Sequence, residues 1–211
     1  MSLNRRSRRR TGGLRMGKRF SNSEKEALLK FARAAIETKL GLSGESPEKK
    51  IAHLPSDLLE QKRGIFVTLH KKGDLRGCIG NIEPTKTIQE GIRENAEHAA
   101  FRDTRFSPLA REEVDEIDIE VSILTVPEEV PYAEGRDLVS KLTPYVDGVV
   151  LEKGFRRATF LPQVWDQLPD SEAFLGHLCL KAGMKREEWK KGGLKVSVYR
   201  VESFQEEGHG F

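Results

Sequence analysis

Three features of the 211-residue chain predict an α+β fold, a mainly antiparallel sheet with surrounding helices. Residues 64–84, GIFVTLHKKGDLRGCIGNIEP, read as two strands joined by a short glycine-containing turn. In residues 117–125, Ile117, Ile119, Val121 and Ile123 alternate with Asp118, Glu120 and Ser122, the pattern of a strand with one buried and one polar face. Helical periodicity fills the stretches around them, and hairpin-joined strands interspersed with helices favour antiparallel pairing.

In chain order, Ser23 with Glu26 fits a capping box, followed by Leu28, Phe31, Ala32, Ala35 and Ile36 at helical spacing and Gly41 as a stop. A polar loop over 41–50 leads through a short connection at 54–59 to the hairpin. A helix over 85–101 is expected to turn Ile88, Ile92, Ala96 and Ala99 inward, and it runs into FRDTRFSPL, a loop crowded with Arg102, Asp103, Arg105 and Phe106. After the strand at 117–125 come a short helix at 137–142 and a hairpin of 148–152 with 155–160, turning at Lys153-Gly154. Pro162 opens a short helix through Trp165. Asp170 or Ser171 caps another, bearing Phe174, Leu175, Leu178, Cys179 and Ala182 and ended by Gly183. A final strand at 194–201 closes the fold, and 205–211 read as a loose tail.

The composition, 37% apolar and 33% charged, is that of an ordinary globular protein. No apolar run approaches the roughly 20 residues of a membrane span, and the basic N-terminus is not followed by the apolar segment of a secretory signal. Two cysteines argue against a disulfide framework and fit a reducing, cytoplasmic setting. Eight of the 36 basic residues lie before residue 20 and no acid precedes Glu24, so the other 28 face 33 acids: a basic leader on a mildly acidic body. Residues 1–20 are expected to be a disordered leader. An arm for nucleic acid, a start misplaced ahead of Met16 and an organelle address are its other readings. Residues 21–204 form the folded domain.

The segment LRGCIG is the least ordinary in the chain. Gly77 and Gly80 stand where a strand carries side chains, which marks a bulge or the close approach of a ligand or another backbone. Arg76 and Cys78, two apart, share a strand face, and a cation beside a thiol favours the nucleophilic thiolate. Whether His70 joins them depends on the turn. A three-residue loop with Gly73 left-handed puts Thr68 and His70 on the face of Cys78, whereas a two-residue loop puts Val67 and Leu69 there. The bland readings are concrete too. A strand cysteine is more often a small buried hydrophobe, Arg76 can pair with Asp118 or Glu120, and Arg102 and Arg105 can hold their loop through Asp103. Cys179 reads as core.

The series GIFVTLHKKGDLRGCIG, FRDTRF, IDIEVSIL, FLPQVWDQ and FLGHLCLKAG, in that order over roughly 24–204, resembles the AMMECR-one family, whose prokaryotic members are called AmmeMemoRadiSam system protein A. The resemblance implies a larger and a smaller subdomain with the signature near the cleft between them. It also implies an association with Memo-like and radical-SAM proteins. It implies no settled activity, and it does not cover the leader.

The chain has no P-loop, dinucleotide fingerprint, serine elbow or HExxH, and the cysteines lack zinc-site spacing, so neither cofactor nor metal is expected. Two functions remain open. One is an inter-subdomain cleft at LRGCIG that binds a small anionic ligand or a peptide, with Cys78, Arg76 and His70 as catalytic candidates. Gly77, Gly80, His98, Asp103, Arg105 and Phe106 are its binding candidates, and His98 is also an alternative base. The other is a non-catalytic adaptor, or a nucleic-acid-associated regulator using the leader.

Overall fold

The structure, a computed structural model, describes residues 19–207. The α+β architecture holds, with two four-stranded antiparallel sheets in place of one. In chain order the elements are α1 (Asn22–Lys39), α2 (Ser56–Leu59), β1 (Lys62–Lys71), β2 (Asp74–Thr87), α3 (Ile88–Phe101), β3 (Ile117–Leu124) and β4 (Glu128–Glu129). They continue with α4 (Gly135–Lys141), β5 (Gly148–Lys153), β6 (Arg156–Phe160), α5 (Ser171–Lys181), β7 (Lys195–Tyr199) and β8 (Val201–Gln205). The first sheet runs β2-β1-β3-β8 and the second β4-β7-β5-β6.

Each sheet has its own core. Ile65, Val67 and Leu69 of β1 and Ile117, Ile119, Val121 and Ile123 of β3 bury one face under α1 and α3, against Leu28, Phe31 and Ile92. Trp165, stacked on Phe174 with centroids 3.7 Å apart, anchors the second core beneath β5 and β7. A small third cluster of Leu124, Val150 and Tyr199, with Phe66 and Val201 against it, ties the lobes together. Tyr199 is fully buried there, and burial pushes its phenol up to about 12. The second lobe is an insertion, because the chain leaves the first sheet after β3 and returns only at β8. Both crossings occur at one place, where the Thr125 N–H donates to the Arg200 carbonyl and the Arg200 N–H donates to Thr125 Oγ1, each at 2.9 Å. The single final strand expected at 194–201 is therefore two strands that change sheets at Arg200.

Other local expectations shift. The cap of α1 is Ser21 with Glu24, two residues earlier than expected. β2 runs through Pro84 to Thr87, whose capping box with Glu90 starts α3 at Ile88. The second hairpin turns at Gly154-Phe155, because Lys153 pairs with Arg156. At the N-terminus the Phe20 ring lies 6.1 Å from that of Phe204, so packing begins just inside the expected leader. The rest of that leader, residues 1–18, lies outside the described residues. The tail expected to be loose is held further along. Gln205 ends β8, and the Glu206 carboxylate accepts from Arg33 and from the Ile119 N–H. Among the described residues no helix is long and apolar enough to cross a membrane.

Candidate functional site

Turn and strand set the site together. Lys71 pairs with Asp74, leaving Lys72 and Gly73 as a two-residue turn with φ of 54° and 86°. Two positive φ values suit the right-handed strand twist, and glycine adopts the second without strain. A two-residue turn alone would set Val67 opposite Cys78. Instead Leu69 pairs with Gly77 while His70 pairs with Leu75, so Arg76 is an extra, bulged residue. The bulge shifts the register by one and brings Thr68 opposite Cys78. Turn length therefore did not decide the face. The bulge did, and its signal in the sequence was the strand glycine beside Arg76.

The two glycines are filled from within the chain. A Cβ on Gly77 would sit 2.3 Å from the Ala99 carbonyl oxygen, so α3 approaches β2 backbone to backbone. A Cβ on Gly80 would fall 2.3 Å from the Phe66 ring, which lies over that position.

Cys78 is half-buried, and its Sγ receives the Thr68 hydroxyl at 3.3 Å. β2 is an edge strand, so its outward backbone groups need partners. The FRDTRF loop provides them. Asp103 Oδ2 accepts the Cys78 N–H at 2.9 Å, and Arg105 Nη2 donates to the Cys78 carbonyl at 3.3 Å. The Asp103 carboxylate is buried, while the Arg105 side chain is half in water. The pair takes the place of a neighbouring strand. The cation that approaches the cysteine is thus Arg105, reaching its backbone, and not Arg76.

Arg76 is used elsewhere. Its guanidinium makes a two-point pair with Glu113, Nε at 3.1 Å and Nη2 at 2.9 Å, and Nη2 also reaches the Ser107 carbonyl at 3.0 Å. Lys71 joins Glu113 from the other side. Phe106 sits between cations, with the guanidinium carbons of Arg76 and Arg105 5.8 and 5.5 Å from its ring centroid. The expected pairing of Arg76 with a thiolate, or with Asp118 or Glu120, is replaced by this contact with the segment ahead of β3. His70 leans on Glu120 at 3.6 Å, an ion-pair distance. Glu120 and Ser122 continue a polar face across to Ser203, whose hydroxyl lies 2.7 Å from that of Ser122. His98 is half-buried on α3, and its side chain makes no hydrogen bond or ion pair among the described residues. No group of three or more His, Cys, Asp or Glu among the described residues is arranged to hold a metal.

Two carboxylates here titrate low. The Arg76 guanidinium, then the Ala110 N–H and Lys71, hold Glu113 down to about 2 despite partial burial. The Arg105 guanidinium, with the Cys78 and Arg105 N–H groups, holds Asp103 well below the usual carboxylate range. Both are more acidic folded than unfolded. Their stabilisation is complete above the unfolded value of about 4 and is lost as pH falls through the folded one. The urea midpoint is therefore expected to fall between about pH 5 and about pH 2, and Glu113→Gln to lower it at pH 5 and flatten that limb. An equally steep limb in the variant would remove Glu113 from the account.

A cleft of about 740 Å³ lies between the lobes where the chain crosses sheets. Its walls include Arg63, Thr125, Tyr145, Arg200 and Val201. None of the LRGCIG residues lines it, so the signature is not in this cleft as the resemblance implied. Sequence reading missed Arg63, Tyr145, Arg200 and Glu113, and it placed Thr68 beside Cys78 only under one of its two turn geometries.

A model of the AMMECR1 family matches residues 29–204. The chain belongs to that family. A curated relative from Methanothermobacter thermautotrophicus is 41% identical, over 90% of this chain and 97% of its own length. One from Methanopyrus kandleri is 38% identical, over 91% and 93%. A crystal structure of an uncharacterized protein from Pyrococcus horikoshii matches with a TM-score of 0.71 at 35% identity, covering 87% of this chain and 92% of that one. None of these names states an activity. Membership of the AMMECR1 family thus carries the two-lobed fold and leaves the chemistry to the site.

Proposed function

We propose that this AMMECR1 chain is a small-molecule-binding protein whose ligand occupies the cleft between the lobes, and that LRGCIG is the brace that keeps one wall of the fold in register. The cleft carries this reading. Its volume of about 740 Å³ lies within the range of ligand sites, roughly 300–1,000 Å³, and it sits at a junction of two structural units, where such sites concentrate. In this reading Asp103 and Arg105 close the β2 edge and Gly77 seats α3, so the signature positions the sheet instead of reacting.

A thiol-dependent enzyme is the second reading, favoured by a half-buried Cys78 beside Thr68 and the nearby Arg105. It lacks support from a base. An activated nucleophile needs one within about 2.6–3.2 Å, whereas the Sγ partner is a hydroxyl and His70 is drawn to Glu120. Alkylation separates the two, with Cys179→Ala removing the second thiol. The binding reading expects Cys78 to label no faster in folded than in unfolded protein, and Arg105→Gln to leave the rate unchanged. Faster labelling of the folded protein, slowed by Arg105→Gln, would favour the enzyme.

A further inference from the structure

The cleft has a charged floor that nothing in the LRGCIG site explains. β1 pairs Ile65 with Ile123, and β3 pairs Leu124 with Val201. Continuing both registers to the sheet end puts Arg63, Thr125 and Arg200 in one row, the two arginines flanking the threonine from strands about 10 Å apart. All three line the cleft.

Neither guanidinium is matched by a carboxylate hydrogen bond among the described residues. Arg63 donates only to the Gln61 amide oxygen, at 2.7 Å, and burial lowers its pKa with no anion to offset it. Arg200 approaches Asp147 at 3.5 Å, but its buried Nε makes no hydrogen bond there. This differs from Arg76 and Arg105, which are each closed by a two-point carboxylate pair. The other charges facing the cleft are arranged differently. Lys25 is paired with Glu202 at 2.8 Å, Glu24 caps α1, and Asp57, Asp166 and Arg19 are exposed at the rim. Half-buried arginines below, neither held by a carboxylate hydrogen bond, and solvated charges above make a site that accepts one anionic head. Leu58, Val146 and Val201 offer apolar wall for a small body behind it.

We infer that the cleft recognises a small organic anion, a carboxylate or a phosphate ester, through a clamp formed by Arg63 and Arg200. This rests on the cleft being the ligand site and adds the class of ligand. The guanidinium fork matches two oxygens of either group, and partial burial strengthens such charge-assisted bonds.

The test uses the full chain and four probes, inorganic phosphate, phenyl phosphate, benzoate and neutral benzyl alcohol, each raised to about 10 mM, the weak limit of specific binding. Readouts are the arginine Nε–Hε resonances of Arg63 and Arg200 and the methyl resonances of Leu58, Val146 and Val201. Saturable shifts of both arginines are expected with phenyl phosphate, benzoate or both, and which of the two binds more tightly distinguishes phosphate from carboxylate. Arg63→Gln, which disturbs only the Gln61 contact, is expected to weaken the better probe about tenfold or more, and Arg200→Lys, which keeps a charge near Asp147, to weaken it less. Exposed Arg156→Gln should change nothing. If benzyl alcohol shifts the cleft methyls as strongly as the anions do, or if Arg63→Gln binds as wild type, the anion clamp is wrong while the cleft remains a site. If no probe moves either arginine, the clamp is overturned. If anions shift only resonances outside the cleft, the cleft reading falls with it.

Discussion

Gly77→Val is expected to destabilise the protein by about 3 kcal/mol or more and to leave much of it unfolded at modest urea concentration. Valine is the better strand former, so intrinsic preference argues for a gain. The close approach decides against it. The added Cβ alone would lie 2.3 Å from the Ala99 carbonyl oxygen, a backbone atom fixed in α3 that cannot swing aside. α3 would have to lift from β1 and β2, exposing Ile88, Ile92 and Ala96, which are now fully buried. Urea unfolding followed by circular dichroism measures this directly. A midpoint at or above that of the wild type would mean that α3 does not seat on β2 as described.

The second large effect is expected from Asp103→Ala, a loss of about 2 kcal/mol. Its carboxylate is buried and satisfies the Cys78 N–H on the outer edge of the sheet, and it also orients Arg105. Removal leaves that donor unmatched, whereas the half-exposed Arg105 can turn to water, so the loss stays below that of a fully buried pair. Asp103→Asn keeps one acceptor and should recover part of the difference. Amide exchange at Cys78 should accelerate in the alanine variant more than at Val67, within the sheet. Equal protection of Cys78 in both proteins would show that the FRDTRF loop does not close this edge.

Much of the fold was legible in the sequence because it is written in local patterns. The alternation through Ile117, Ile119, Val121 and Ile123 returned as β3, and the spacing of Ile88, Ile92 and Ala96 as the buried face of α3. What was not legible depends on partners remote in the chain. LKVSVYRV looks like one strand, and only the identity of its neighbours, β5 on one side of Arg200 and β3 on the other, divides it. The bulge at Arg76 was hinted at by Gly77, but its consequence for Cys78 needed the register of the opposite strand. Arg76 was singled out for the right strand and the wrong partner, since Glu113 lies 37 residues away on a turn with no sequence mark. The cleft residues Arg63, Tyr145 and Arg200 come from three separate segments, and no motif joins them.

The central claim is that ligand binding belongs to the cleft at the sheet crossing and not to the thiol face. The most direct measurement is a methyl-resolved titration of the full chain with a low-molecular-weight cell extract, comparing two sets of resonances in one spectrum. Val146, Ile123 and Val201 report the cleft, and Thr68 and Ile79 report the neighbourhood of Cys78. The account predicts saturable shifts in the first set with the second unmoved, and the same result in Cys78→Ala. Shifts confined to Thr68 and Ile79, and abolished by Cys78→Ala, would contradict it.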